Sequence, residues 1–141
     1  IEEFDKEKTK VLKYILYKKR SENEVRNKFA NSIDENLLED IIQYLKDANY
    51  INDKEYIEKI VNNFISLKSL SLKELQYKLL AKGLKKEEIE DYFYENEEKL
   101  DQYEKKSAQN IINKKSNSMD KNELKQYLLK KGYKMENIIN N

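Results

Sequence analysis

The chain has 141 residues, with no proline, cysteine or histidine, only two glycines, 39% charged and 38% hydrophobic residues, and a net charge of +1. This balance suits long solvated helices and leaves little turn chemistry for an all-β fold. It also excludes a disulfide framework, a thiolate nucleophile, the usual general base near neutral pH and the commonest metal ligand.

The first helix is expected from about Asp5 to Lys19, with Val11, Leu12, Ile15 and Leu16 at helical spacing beside Tyr14. Ser21 followed by Glu24 is a capping box, in which hydroxyl and carboxylate each satisfy the other residue's amide. It opens a short helix with Val25 and Phe29 inward. Asp34 caps a third helix with a wide stripe of Leu37, Leu38, Ile41, Ile42 and Leu45. Asn52 with Glu55 reads as another capping box, and Tyr56, Ile57, Ile60, Val61, Phe64 and Ile65 build the fourth helix. Residues 66–70 are a short linker. Ser71 with Glu74 opens the fifth helix, whose Leu72, Leu75 and Leu79 form one stripe and whose end at Gly83 suits the left-handed conformation. Ile89, Tyr92 and Phe93 share a face on the sixth helix. Leu100, Tyr103, Ala108, Ile111 and Ile112 supply the seventh, before a polar turn over 113–118. Asp120 with Glu123 caps the eighth, which carries Leu124 and Leu128 and stops at Gly132. Met135, Ile138 and Ile139 mark a short ninth.

The register repeats. Glu24, Glu74 and Glu123 stand 50 and 49 residues apart, Phe29, Leu79 and Leu128 keep the same spacing, and Val11, Tyr14 and Ile15 match Val61, Phe64 and Ile65. A period near 50 with three helices per unit predicts an all-α tandem array of three three-helix modules, over residues 1–50, 51–98 and 99–141. Each module has too little core to stand alone, so neighbours share apolar faces.

Charge is uneven along the array. Residues 1–20 hold seven Lys/Arg against four Asp/Glu (+3), residues 21–49 three against seven (−4), 71–100 six against eight (−2), and 101–141 nine against five (+4). Neither glycine sits in a phosphate-cradling loop. The pairs Glu87-Glu88 and Glu97-Glu98 lie on acidic, solvated helix faces rather than in an acid/base constellation. Tyr14, Tyr56, Tyr92 and Tyr103 fall on core stripes, so they read as packing residues whose hydroxyls reach water, not as base-stacking platforms. The expectation is a protein that is not an enzyme and uses no metal or cofactor. The absence of cysteine makes the reducing cytoplasm the expected location, and no apolar run approaches the roughly 18–20 residues of a membrane span. The start at Ile1, without an initiator methionine, reads as a trimmed product or a C-terminal portion.

The segment Leu12-Lys-Tyr-Ile-Leu-Tyr-Lys-Lys-Arg-Ser-Glu-Asn-Glu-Val25 resembles the opening helix, basic turn and cap of the RecX family, bacterial regulators of the RecA recombinase. Tyr50-Ile-Asn-Asp-Lys-Glu-Tyr56 is similar to that family's "[YL]-[IL]-[DN]-[DE]-x-x-[FY]" signature. The stretch from Leu75 to Leu84 resembles its "E-L-x-x-K-L-x-x-K-G" segment, and Leu128-Leu-Lys-Lys-Gly-Tyr133 its closing pattern. The four matches run in the right order over nearly the whole chain. The resemblance implies a curved array that docks along the groove of a RecA nucleoprotein filament as a monomer and modulates, usually inhibits, its ATP hydrolysis and strand exchange. On that reading the basic clusters on exposed turns are the contact residues: Lys18, Lys19, Arg20 and Arg26 in the first module, and Lys114, Lys115, Lys130, Lys131 and Lys134 in the third. The two basic ends are then expected to act together as a bivalent ligand. The near-neutral net charge leaves only weak binding to single- or double-stranded DNA.

Two other classes stay open on the residues alone. One is a nucleic-acid-binding module using its short second helices, although Arg20 and Arg26 are its only arginines. The other is a helical-repeat scaffold for a different partner.

Overall fold

The computed structural model describes residues 1–139, with Ile139 described by its backbone alone. Among these residues it is helical throughout and contains no strand. The helices are α1 (Glu2–Tyr17), α2 (Glu22–Phe29), α3 (Glu35–Asp47), α4 (Asp53–Leu67), α5 (Leu72–Ala81), α6 (Lys86–Glu95), α7 (Glu97–Lys115), α8 (Lys121–Lys131) and α9 (Met135–Ile139).

Capping chemistry sets most of the starts. In α2, α5 and α8 the Ser21, Ser71 and Asp120 side chains accept the amides of Glu24, Glu74 and Glu123, and the three glutamates return the bond to the capping amides. Asp34 accepts the Leu37 amide at α3. At α4 only half of the expected box forms. Asn52 accepts the Glu55 amide at 3.1 Å, but the Glu55 carboxylate lies 3.4 Å from Lys19 Nζ, an ion pair that draws it off the helix end.

The apolar stripes bury into three clusters. Val11, Ile15, Val25, Phe29, Leu38, Ile41, Ile42 and Leu45 belong to the first. Tyr56, Ile57, Ile60, Leu75, Leu79, Ile89, Tyr92 and Leu100 belong to the second, with Phe93 half-buried against it. Ala108, Ile111, Leu128, Tyr133 and Ile138 form the third. Helix α7 serves two of them, since Leu100 and Tyr103 pack on the middle cluster and Ala108 and Ile111 on the last. Leu16 departs from the expected stripe. It is 66% exposed, because Ile15 already fills the inward position and the next residue turns about 100° away on a helix of 3.6 residues per turn. The side chain of Ile139 lies outside the described residues.

The same joint connects successive clusters twice. At the first, the Ser21 hydroxyl donates to the Lys82 carbonyl at the end of α5 (3.4 Å), and the Glu22 amide donates to Asp53 at the start of α4 (2.9 Å). At the second, Ser71 donates to the Lys131 carbonyl at the end of α8 (2.8 Å), and the Leu72 amide donates to Glu104 in α7 (2.7 Å). Each joint therefore closes orphan amides at one helix start and an orphan carbonyl at another helix end, groups that a short helix cannot satisfy internally. Gly83 (φ +82°) and Gly132 (φ +101°) stand at the points of closest approach. A Cβ on Gly83 would come within 3.3 Å of Asn23 Cβ, and one on Gly132 within 2.8 Å of Lys73 Cβ. The glycines both stop their helices and let the preceding helix start come close.

Candidate partner-binding grooves at the joints

Beside each joint runs a groove, where the end of one first helix faces the first helix of the next repeat. The first groove has a volume of about 300 Å³ and is lined by Lys18, Lys19, Lys59 and Lys82 together with Phe64 and Asn63. The second, of about 480 Å³, is lined by Lys68, Lys99 and Lys106 with Leu67, Tyr103 and Asn110. Lys18 and Lys68 are equivalent at the 50-residue period, as are their neighbours Tyr17 and Leu67. In a chain with 27 Asp and Glu, none lines either groove among the described residues.

The local structure holds these lysines in place. Tyr103 fixes the chain leaving α4 by donating from its hydroxyl to the Lys68 carbonyl (2.6 Å) and accepting the Leu70 amide (3.0 Å). This hydroxyl serves the backbone instead of reaching water as the sequence suggested. Lys99 is held by Asn62 at 3.0 Å. Lys18, Lys59, Lys68 and Lys106 are exposed and make no ion pair among the described residues. On the groove wall, Tyr56 is pushed up to about 12 by burial and by the charge and hydrogen bond of Glu24, so it is a neutral phenol.

The nine basic residues singled out from the sequence separate into three situations. Lys18 and Lys19 come together in the first groove, Lys19 already 3.4 Å from Glu55. Lys114 and Lys130 are exposed elsewhere. The others are engaged within the fold. The Arg20 guanidinium lies 4.0 Å from the Tyr14 ring centre. Arg26 is held between Glu22 and Glu39. Lys115 and Lys131 lie 4.9 and 5.4 Å from the Tyr127 ring, with Lys131 also 3.7 Å from Glu74. Lys134 donates to Asp101 at 2.9 Å, a bond that raises its pKa. Lys59, Lys68, Lys82, Lys99 and Lys106 were missed. Lys68 was legible through the repeat register, whereas Lys59, Lys99 and Lys106 on helix faces and Lys82 at the end of α5 gather only when the helices pack.

The electrostatics of the joints differ from those of the grooves. Glu22 is 6% exposed at the first joint, ringed by Lys46 (3.0 Å), Arg26 (3.0 Å) and Lys85 (3.6 Å). Burial opposes its charge, but the hydrogen bonds from Lys46 and Arg26 and the charges of Lys46 and Lys85 prevail and hold its carboxyl below the usual range. Asp53 and Glu88 beside it are raised, mainly by burial. Among the described residues no cluster of carboxylates is placed to hold a metal ion, and no helix is long and apolar enough to cross a membrane.

No family model matches the chain. It is 32% identical over 131 residues to the regulatory protein RecX of Staphylococcus epidermidis, covering 90% of this chain and 49% of that protein. It is 31% identical over 145 residues to RecX of Clostridium beijerinckii, covering 96% of this chain and 66% of that one. The chain thus spans about half the length of the staphylococcal relative. Its fold matches the crystal structure of RecX from Lactobacillus salivarius with a TM-score of 0.81 at 26% identity, over 99% of this chain and 94% of that one. With its order of motifs, its all-helical fold and these relatives in agreement, the chain belongs to the RecX family.

Proposed function

We propose that this chain is a non-catalytic regulator that binds the RecA–DNA filament in the cytoplasm and restrains its ATP hydrolysis and strand exchange. The observation that carries this reading is the pair of lysine-lined grooves, one at each joint of the array, with no acid among their lining residues. A filament is a repeated, negatively charged surface, and an array whose cationic grooves recur once per repeat suits it better than a single globular site would. Residues 1–50, 51–98 and 99–141 act as one elongated array of three modules. Lys18 and Lys19 contact the filament from the first groove, and the exposed Lys114 and Lys130 add to attraction from the basic end. The relatives are named regulatory proteins, which supports the same class of role.

Co-sedimentation with RecA filaments assembled on single-stranded DNA, set against the same DNA alone, tests the reading. The expected result is recovery with the filament well above that with DNA, together with slower ATP hydrolysis. Equal recovery with both would identify a nucleic-acid binder, and no recovery with either would remove the filament as partner.

A further inference from the structure

Beside its positive charge, each groove has an exposed apolar neighbour. Tyr17 and Leu67, at equivalent positions one repeat apart, are 87% and 80% exposed; Leu67 lines the second groove beside Lys68, and Tyr17 immediately precedes Lys18 of the first. Covering a large apolar side chain this exposed gains free energy. Leucine offers nothing to a phosphate or to a stacked base. Lysine, unlike arginine, does not grip phosphate as a bidentate fork, and the chain's two arginines are held by Tyr14 and by Glu22 with Glu39.

We propose that Tyr17–Lys18 and Leu67–Lys68 are two equivalent teeth that read a protein surface, each taking a segment in which carboxylates flank an apolar side chain. Carboxylates complement the groove lysines, of which Lys19 already has Glu55 at 3.4 Å while Lys18, Lys59, Lys68 and Lys106 make no ion pair among the described residues, and the apolar side chain covers the tooth. Because the teeth recur at the repeat period, the partner presents the segment twice, as successive identical subunits do. The inference rests on the filament reading above and assigns which component of the filament the grooves touch: protein, not DNA.

The test uses Tyr17→Ala, Leu67→Ala and the double variant of the full chain, with Tyr77→Ala, a 68% exposed residue outside both grooves, as control. Circular dichroism checks that all four keep their helix content. Binding is measured to RecA filaments on single-stranded DNA and to that DNA alone. Each single truncation is expected to weaken filament binding about tenfold and the double about a hundredfold, as for central apolar contacts that act independently. Binding to DNA alone and the control change by less than about twofold. Unchanged filament binding by either single variant overturns the paired teeth. Equal losses on filament and on bare DNA make the grooves nucleic-acid sites and also overturn it. If the unsubstituted chain fails to bind the filament, the functional reading itself falls, an outcome distinct from the other two.

Discussion

The two joints use one backbone solution and two side-chain chemistries. In both, a capping serine reaches the last carbonyl of a helix one repeat on, and an acid from the next first helix takes the amide after the serine. At the first joint that amide belongs to Glu22, which sits in a ring of cations. At the second the equivalent residue is Leu72, and the acid is Glu104, fully buried and accepting the Leu72 amide, the Lys134 amide (3.0 Å) and the Asn137 side-chain amide (2.6 Å). The lesson is that the repeat preserves what the helix ends require, because buried amides and carbonyls must be paired. The residues around that requirement are free to be ionic or apolar.

The largest difference should come from removing the two acids. Glu104→Ala leaves two main-chain amides and an asparagine amide without their acceptor, and should cost about 3–5 kcal/mol, whereas Asp53→Ala removes the acceptor of one amide and should cost about 1–3 kcal/mol. Urea unfolding of both variants measures this, and equal losses would mean that the joints are energetically alike.

The glycines come next. Gly132→Ala meets a left-handed φ and a Lys73 Cβ at 2.8 Å, so it should cost about 3 kcal/mol. Gly83→Ala meets the same φ penalty but a gentler 3.3 Å contact, and should cost about 1–2 kcal/mol. Thermal unfolding should rank them in that order.

A smaller effect is expected at the serines. Ser71→Ala loses a cap and a 2.8 Å bond to Lys131, about 1–2 kcal/mol, while Ser21→Ala loses a cap and a long 3.4 Å contact, about 1 kcal/mol. The reverse order would show that the first joint is the tighter one.

The smallest effect is in the pH dependence of the first joint. Glu22 is lowered from its ordinary 4.5, so its contribution is present above 4.5 and is lost as pH falls through its folded value. Asp53 is raised from its ordinary 3.8, so its contribution is present below 3.8 and is lost as pH rises through its folded value. The two oppose each other. Glu22→Gln should therefore flatten the acid loss of stability, and Asp53→Asn should steepen it, as read from urea midpoints between pH 6 and pH 3.

Much of the fold was legible because helix starts and stripes are local. The Ser–Glu and Asp–Glu boxes, the glycine stops and the apolar positions of α3, α4 and α5 each follow from a few neighbouring residues. The half-formed box at Asn52 was not legible, since its Glu55 is drawn away by Lys19, 36 residues earlier. The candidate site was less visible. Runs such as Lys18-Lys19-Arg20 and Lys130-Lys131 stand out in sequence, yet Arg20, Arg26, Lys131 and Lys134 are occupied by rings and carboxylates of the fold. Lys59, Lys82 and Lys99 stand alone in sequence, Lys106 has only Lys105 beside it, and all four are gathered by packing.

By itself, the sequence determined the helices, their phase and the 50-residue repeat, because capping and amphipathic burial act over one or two turns. The tertiary structure alone decided where the cations are free. A lysine's availability depends on which carboxylate or ring reaches it across a joint, and such distances are not written in its neighbours along the chain. It also decided that Gly83 and Gly132, readable as helix stops, must be small for a second reason. Each lies under the start of a helix about 60 residues away in the chain, Asn23 in one case and Lys73 in the other.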